Sequence, residues 1–577
     1  MRGRRMLVAM FAALALAVCA PIRQARAQTA APGAAASPAA SPAGAAIQSL
    51  AAAGKLPELH WPDFSDYRSA VVEFYGAGGW TPAWTADGAP TTAALGMIDL
   101  FRQARLKGLN PDDYDGGLWP ARLARLRSEG ARATPADIAR FDVAMTVCAM
   151  RYLSDLHIGR VNPNDVKFFL DAGSKKLDLA QTLRVDFIGA ADPAAIVTQV
   201  EPPYAEYQRA EVALAHYLKL ARGGDEPVLP PPAASVHPGD AYPDLTQLAA
   251  RLKLVGDLPA DVSVPTGSTR YQGAIVDAVR HFQRRHGLAT DGVLGRATIA
   301  ALNVPLRVRI EELGYTLERY RWMPLDFPEP PIVVNLPEFI LRTMRRQPAP
   351  FLEMRVVVGK AYRHQTPVFT GMMRYVIFRP WWNVPYSITR AELIPKILKN
   401  RNYLAANNFA VFTSGGTMVS DGAVTDGILA GLRSGSLNIR QKPGPKNALG
   451  LVKFIFPNSY NVYLHSTPAP ELFEKSRRDF SHGCIRVQNP VGLAAWVLRG
   501  MPAWTTDRIV QTMNGGQTLQ VNLPRPIPVL IIYLTAEVEP DGEVRFFDDI
   551  YGHDAELRQA LAARRRLAAA SASEAAP

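Results

Sequence analysis

Residues Val452 to Val487 read VKFIFPNSYNVYLHSTPAPELFEKSRRDFSHGCIRV. The stretch holds two short apolar and aromatic runs, Phe454–Phe456 and Tyr463–His465, with Pro457 and Asn458 between them. Runs of this kind, broken by proline and polar residues, read as strands joined by turns. The pattern continues outward. Ile332–Leu336, Phe339–Met344, Met354–Val358 and Tyr375–Phe378 precede it, and Gln520–Leu523 and Val529–Tyr533 follow it. Many short strands at close spacing argue for a sandwich or barrel. Residues 390–446 interrupt them with a helical, glycine-containing insert (ELIPKILKN, then SDGAVTDGILAGLRSGS), a candidate lid over a site.

The same stretch carries chemistry. Leu464-His465-Ser466 is followed, with fifteen residues between His465 and Ser481, by Ser481-His482-Gly483-Cys484-Ile485-Arg486. A cysteine attacks as thiolate, and a free thiol is mostly protonated at neutral pH, so it needs a neighbouring base or positive charge. An imidazole supplies both roles and itself needs an acceptor that fixes its tautomer. Gly483 allows a tight turn before Cys484, and successive backbone N–H groups there would form an oxyanion hole. Other readings of these residues are an inert core thiol, a disulfide from Cys484 to Cys148, and a zinc site using His465, His482 and Cys484. The spacing fits none of the common structural-zinc patterns, so no metal is expected.

The H-x15-S-H-G-C pattern resembles the signature of the L,D-transpeptidase catalytic domain, over roughly residues 332–534. RPWWNVPYSI (Arg379 to Ile388) and PGPKNALG (Pro443 to Gly450) fit the resemblance, and FYGAGGWTPAW (Phe74 to Trp84) with GLNPDDY (Gly108 to Tyr114) extends it to the long proteobacterial members. The resemblance implies Cys484 as nucleophile and His465 as its base. The Ser466 carbonyl would orient His465, and the amides of His482, Gly483 and Cys484 would line the oxyanion hole. Arg486 would receive a substrate carboxylate, while Tyr463, Trp381 and Trp382 would wall the cleft. It further implies a peptidoglycan stem tetrapeptide as donor, a thioester intermediate, and a stem-peptide amine as acceptor, giving 3→3 cross-links; carbapenems would acylate the same thiol. Water as acceptor would make an L,D-carboxypeptidase, and a protein amine an anchoring enzyme. Outside this class stand a non-catalytic wall-binding scaffold and a zinc amidase. No cofactor is implied, and no glycine-rich nucleotide loop lies between a strand and a helix.

A second string, AVRHFQRRHGLATDGVLGRATIAALN (Ala278 to Asn303), resembles the peptidoglycan-binding domain of bacterial wall enzymes, a three-helix bundle. Val279, Phe282, Gln283, His286, Gly287, Leu288, Asp291, Gly292, Gly295, Thr298 and Leu302 carry that match.

The whole reads as a multidomain α+β chain: a helical scaffold over 47–230, the three-helix module over 242–305, and a mainly β catalytic domain over 306–534 with its helical insert. Residues 1–27 read as a secretory signal, with Arg2, Arg4 and Arg5 before an apolar run and Ala25-Arg26-Ala27 at its end. An uncleaved anchor is the alternative, and only then would the protein meet a membrane. Residues 28–46 are rich in Ala, Pro, Ser and Gly and read as a flexible linker. Residues 554–577 form an Ala/Arg-rich tail whose Arg564-Arg565-Arg566 run reads as a solvated face. The expected location is the periplasm, at the wall. Among 577 residues, 64 are Lys or Arg and 52 Asp or Glu, for a formal charge of +12. Five of those arginines fall in the first 27 residues, so the body is only mildly basic. That suits an anionic polymer and does not call for nucleic acid.

Overall fold

The computed structural model describes residues 41–574 except 128–132, 171–174, 226, 266, 345–350 and 363, with side chains as far as 566. The signal and the linker up to residue 40 lie outside the described residues. Helix α1 (Pro42–Ala53) starts inside the stretch expected to be linker. Ser41 Oγ accepts the Gly44 N–H at 3.1 Å and Pro42 sits in the first turn, a favourable helix start. Alanine is also the best helix former, so once Ile47 and Ala51 are buried the composition that suggested a linker sustains a helix.

Helix α2 (Pro135–Ile158) is the scaffold's centre and is buried on almost every side. The FYGAGGWTPAW segment wraps around its Asp142. That carboxylate accepts the Tyr75 hydroxyl (2.8 Å) and the N–H groups of Ala83 (2.8 Å) and Trp84 (3.0 Å), while burial pushes its carboxyl up to about 6. Helix α3 (Ala205–Leu220) closes the scaffold region.

The small module is a three-helix unit as expected: α4 (Leu245–Leu254), α5 (Ala274–Arg285) and α6 (Arg296–Leu302) around their own core. Gln283 holds its turn, donating to the Val293 carbonyl (3.0 Å) and accepting the Gly292 N–H (2.8 Å). Gly292 has φ +74°, and a Cβ there would come within 3.1 Å of Arg280 and Val276, so glycine is required. The end of α5 docks on the C-terminal hairpin. Arg285 bonds the Val544 carbonyl (3.1 Å) and His286 stacks 5.8 Å from Phe546.

Helix α7 (Leu306–Trp322) is the spine between the halves. Its Glu318, fully buried, accepts the Arg160 side chain (2.9 Å) and the Val161 N–H (3.2 Å). Arg321, also fully buried, reaches the Lys107 carbonyl (2.5 Å) and the Tyr207 hydroxyl (2.9 Å).

The C-terminal half is a ten-stranded mixed sheet built from β1 (Phe168–Phe169), β2 (Ile332–Asn335), β3 (Ile340–Thr343), β4 (Glu353–Gly359), β5 (Val368–Phe378), β6 (Val452–Ile455), β7 (Leu464–His465), β8 (Asp479–Ser481), β9 (Ile485–Val487) and β10 (Leu519–Ile532). The pairings run β6-β7-β9-β4-β3-β2-β10-β5 and return to β6, so the sheet is barrel-like. β1, supplied by the scaffold, pairs with β5, and β8 pairs with β4. Beyond Leu534 the hairpin of Ala536–Val538 and Val544–Phe546 forms a separate two-stranded sheet that packs on α3 and α7.

The insert departs from the helical expectation. It has helices α8 (Ile394–Lys399) and α9 (Asp426–Ser434), but its centre is a four-stranded antiparallel sheet. Phe409–Thr413 lies between Met418–Ser420 and Leu437–Gln441, and the latter also pairs with Trp382–Asn383. Val411, Ile439, Ile397 and Leu432 form its own small core. Alternation in these two five-residue strands is too short to stand out beside the flanking helical patterns. The tail departs as well. Helix α10 (His553–Glu574) returns to the scaffold, where Arg564 pairs with Asp155 at 2.9 Å and bonds the Arg160 carbonyl at 3.2 Å. Arg564 is therefore a docking residue, not part of a solvated face.

Candidate active site

The site is built by strand register. β7 pairs in parallel with β9, with Leu464 opposite Ile485 and His465 opposite Arg486. Leu464 and Ile485 are fully buried in the barrel core. Side chains alternate along a strand, so His465 and Arg486 share the opposite face. Tyr463 and Cys484, one step earlier, follow them onto it; the Ile485 N–H donates to the Tyr463 carbonyl at 3.1 Å and keeps the ladder going. On the other side β6 sets Lys453 opposite His465. One outer face thus carries Lys453, Tyr463, His465, Cys484 and Arg486.

The local turns fix these groups. His465 Nδ1 lies 2.5 Å from the Ser466 carbonyl, which sets the ring with Nδ1–H as donor and leaves Nε2 as the basic nitrogen. Gly450, at φ +63°, lets the PGPKNALG loop press against Ser466; a Cβ there would come within 2.5 Å of it. Gly483 has φ +113°, which only glycine adopts easily. Its carbonyl accepts from Thr366 Oγ1 (2.8 Å), and Ser481 Oγ ties the turn by donating to the Cys484 carbonyl (2.5 Å).

Burial and charge set the protonation states. Burial, with Arg486 as a second cause, holds His465 down at about 3, so its imidazole is neutral at physiological pH. Burial pushes the Cys484 thiol above its ordinary value, while bonds from Tyr463 and the charges of Lys453 and Arg486 pull it back. The resting pair is a neutral thiol and a neutral imidazole rather than an ion pair. The thiol is half-buried, and besides its contacts with Tyr463 it donates to the Asn461 carbonyl, 3.6 Å away.

Of the residues singled out from the sequence, Cys484, His465, Ser466, Tyr463 and Arg486 come together. Gly483 shapes the turn, and its N–H donates to Ser481 Oγ at 3.1 Å. His482 is exposed and its Nε2 lies 2.6 Å from Glu392 of the insert. Trp381 and Trp382 sit at the root of the insert, 5.8 Å from Phe412 and 6.3 Å from Phe409, so their contacts belong to the insert's packing. Cys148 and Cys484 are both free, and the disulfide does not form. Lys453 was missed. Nothing in VKF marks it until the register sets it beside His465.

Three family models match the chain. Residues 330–505 match the L,D-transpeptidase catalytic domain. The chain carries an L,D-transpeptidase catalytic domain. Residues 242–302 match the family described as "Putative peptidoglycan binding domain", and residues 69–214 the scaffold domain. A "Putative L,D-transpeptidase" of Haemophilus influenzae (strain ATCC 51907 / DSM 11121 / KW20 / Rd) is 31% identical over 278 residues, 47% of this chain and 55% of that protein. The chain therefore spans about half the length of the curated relative it matches. A solved L,D-transpeptidase (residues 123–326) from Xylanimonas cellulosilytica DSM 15894 is 17% identical, covering 53% of this chain and 100% of its own, at a TM-score of 0.16, a superposition too poor to support any comparison of folds. The transpeptidase match spans β2 to β9, and so includes every residue of the polar face just described.

Proposed function

We propose that the protein is a peptidoglycan L,D-transpeptidase working through a thioester on Cys484. The observation that carries this is the shared face of β7 and β9, where a neutral, tautomer-fixed His465 stands beside a half-buried thiol. In the first half-reaction Sγ bonds to the carbonyl carbon of the donor's third residue. The thiol proton passes to His465 Nε2 and then to the nitrogen of the departing terminal residue as the C–N bond breaks. The amides of His482 and Cys484 face the developing oxyanion. In the second, a stem-peptide side-chain amine attacks the thioester, gives its proton to His465 and releases the thiol. The product is a 3→3 cross-link.

The binding module raises the local concentration of wall, and the protein acts in the periplasm. The same thiol is the target a carbapenem would acylate, and loss of the cross-linking would alter cell shape. The test is incubation of the full chain with disaccharide-tetrapeptide, read by mass spectrometry. Cross-linked dimers and released terminal residue are expected, with neither from Cys484→Ala. Tripeptide monomers alone would make water the acceptor; unchanged product from Cys484→Ala would overturn the mechanism.

A further inference from the structure

Two cations stand on the thiol's face with no anion to match them. Arg486 makes no ion pair among the described residues, and its Nε is buried without a hydrogen-bond acceptor. Glu471 is the one carboxylate whose field acts on it, and no ion pair joins them. Lys453 is half-buried, and its Nζ has one partner among the described residues, the ring of Tyr463, 5.5 Å away. Other buried cations in this protein are answered either by carboxylates, Arg160 by Glu318, Arg285 by Asp257 and Arg122 by Asp115, or by backbone carbonyls, Lys175 by that of Arg321 (2.6 Å) and Arg478 by that of Lys475 (2.7 Å). An uncompensated, partly desolvated cation is costly, and two on one face make a site for an anion.

The register gives the site its direction. Lys453, His465 and Arg486 lie abreast on β6, β7 and β9, and adjacent strands are about 4.8 Å apart. Lys453 and Arg486 therefore flank His465. The Lys453 head has leaned along its strand over Tyr463, the residue across from Cys484. Both charges act on the Cys484 sulfur. An anion held between them lies a few ångströms from whichever carbonyl the sulfur attacks.

We propose that Lys453 and Arg486 together form a receptor for the free carboxylate of the donor's terminal residue, the one that leaves, and so select stems ending at the residue after the scissile bond. The inference rests on the acyl-transfer reading above and adds the group that chooses the donor. Geometry favours that carboxylate because only two bonds separate the departing nitrogen from it. Lys453, not singled out by the motif, becomes the specificity-determining residue. An amidated or extended stem would leave both cations unanswered.

The test compares two synthetic donors with the full chain, a tetrapeptide ending in D-alanine and the same peptide ending in D-alaninamide, by release of the terminal residue. The wild type is expected to favour the acid by about 10- to 100-fold in kcat/KM, the range set by a hydrogen bond to a charged group. Lys453→Met is expected to lose most of that preference by slowing on the acid alone, and Lys453→Arg to retain it. Equal use of acid and amide by the wild type would overturn the proposal. So would a Lys453→Met enzyme that keeps the preference and changes only the pH profile of Cys484 alkylation, which would make Lys453 a thiolate stabiliser. No turnover of either donor by a wild type folded by circular dichroism would instead overturn the acyl-transfer reading, and with it this one.

Discussion

Two parts of the molecule bury positive charge and do opposite things with it. Around α7, Arg160 and Arg321 meet Glu318 at 2.9 and 3.5 Å, and Arg319 meets Asp554 at 2.5 Å. Arg319 also lies 5.3 Å from the rings of Phe168 and Tyr533. These contacts tie scaffold, barrel and terminal helix to one spine. On the β7/β9 face, Lys453 and Arg486 have no such counterparts. Around the spine buried charge is neutralised by carboxylates of the fold, whereas on the thiol's face, under the proposal above, it is left for a ligand to neutralise.

The comparison is broken most severely at His465. Removing the proposed base with His465→Ala is expected to cost roughly 100- to 10,000-fold in turnover, the range of general-base catalysis, with little change in fold. Its pH behaviour sharpens the point. The native protein holds His465 near 3, against 6.5 in an unconstrained ring. The unfolded chain therefore binds the proton more readily between those values. The contribution to stability is full above about pH 6.5 and is lost as pH falls toward 3. Thermal unfolding of His465→Ala is expected to lack that part of the acid slope. Alkylation of Cys484 is expected to rise with pH through a midpoint above the ordinary 9.0, with no plateau in the acid range such as a preformed ion pair would give.

At the spine the opposite pattern is expected. Glu318→Ala leaves Arg160 and Arg321 buried without their carboxylate, and breaking such a pair typically costs about 3–5 kcal/mol. Unfolding by denaturant is the measurement. The acid-over-amide preference of the remaining folded enzyme is expected to be unchanged, because Glu318 touches none of the thiol's face. A loss of preference without loss of stability would contradict the division drawn above.

What the sequence disclosed follows the range over which each feature is built. The His465/Cys484 motif, the barrel strands and the three-helix module are local patterns, readable from spacing and periodicity. Arg564 looked like solvated surface because its partner, Asp155, lies 409 positions away. Lys453 carries no signature of its own, and only the pairing of β6 with β7 gives it a neighbour. The insert's sheet was hidden because Phe409–Thr413 and Leu437–Gln441 each present a single short strand between stronger helical patterns. Gly483 was correctly placed in a turn, but the bond from its N–H to Ser481 Oγ depends on a side-chain rotation that spacing does not encode.

The smallest expected effect lies at the contact between insert and motif. Glu392 and His482 meet at 2.6 Å, with side chains about 39% and 32% exposed. Such an exposed contact, an ion pair only while His482 carries a second proton, is worth about 0–1 kcal/mol, because solvent screens it and holding two side chains together costs entropy. Glu392→Ala is expected to leave global unfolding within that range. Its local consequence is larger in kind, since this link joins the insert, which has its own core, to the residue two before Cys484. Hydrogen exchange in Thr389–Leu393 is expected to quicken on Glu392→Ala and to stay near the wild-type rate on Glu392→Gln, which retains a hydrogen-bonding side chain. If both variants exchange as the wild type does, packing at Trp382 and Phe409 holds the insert down, and the His482 contact is incidental.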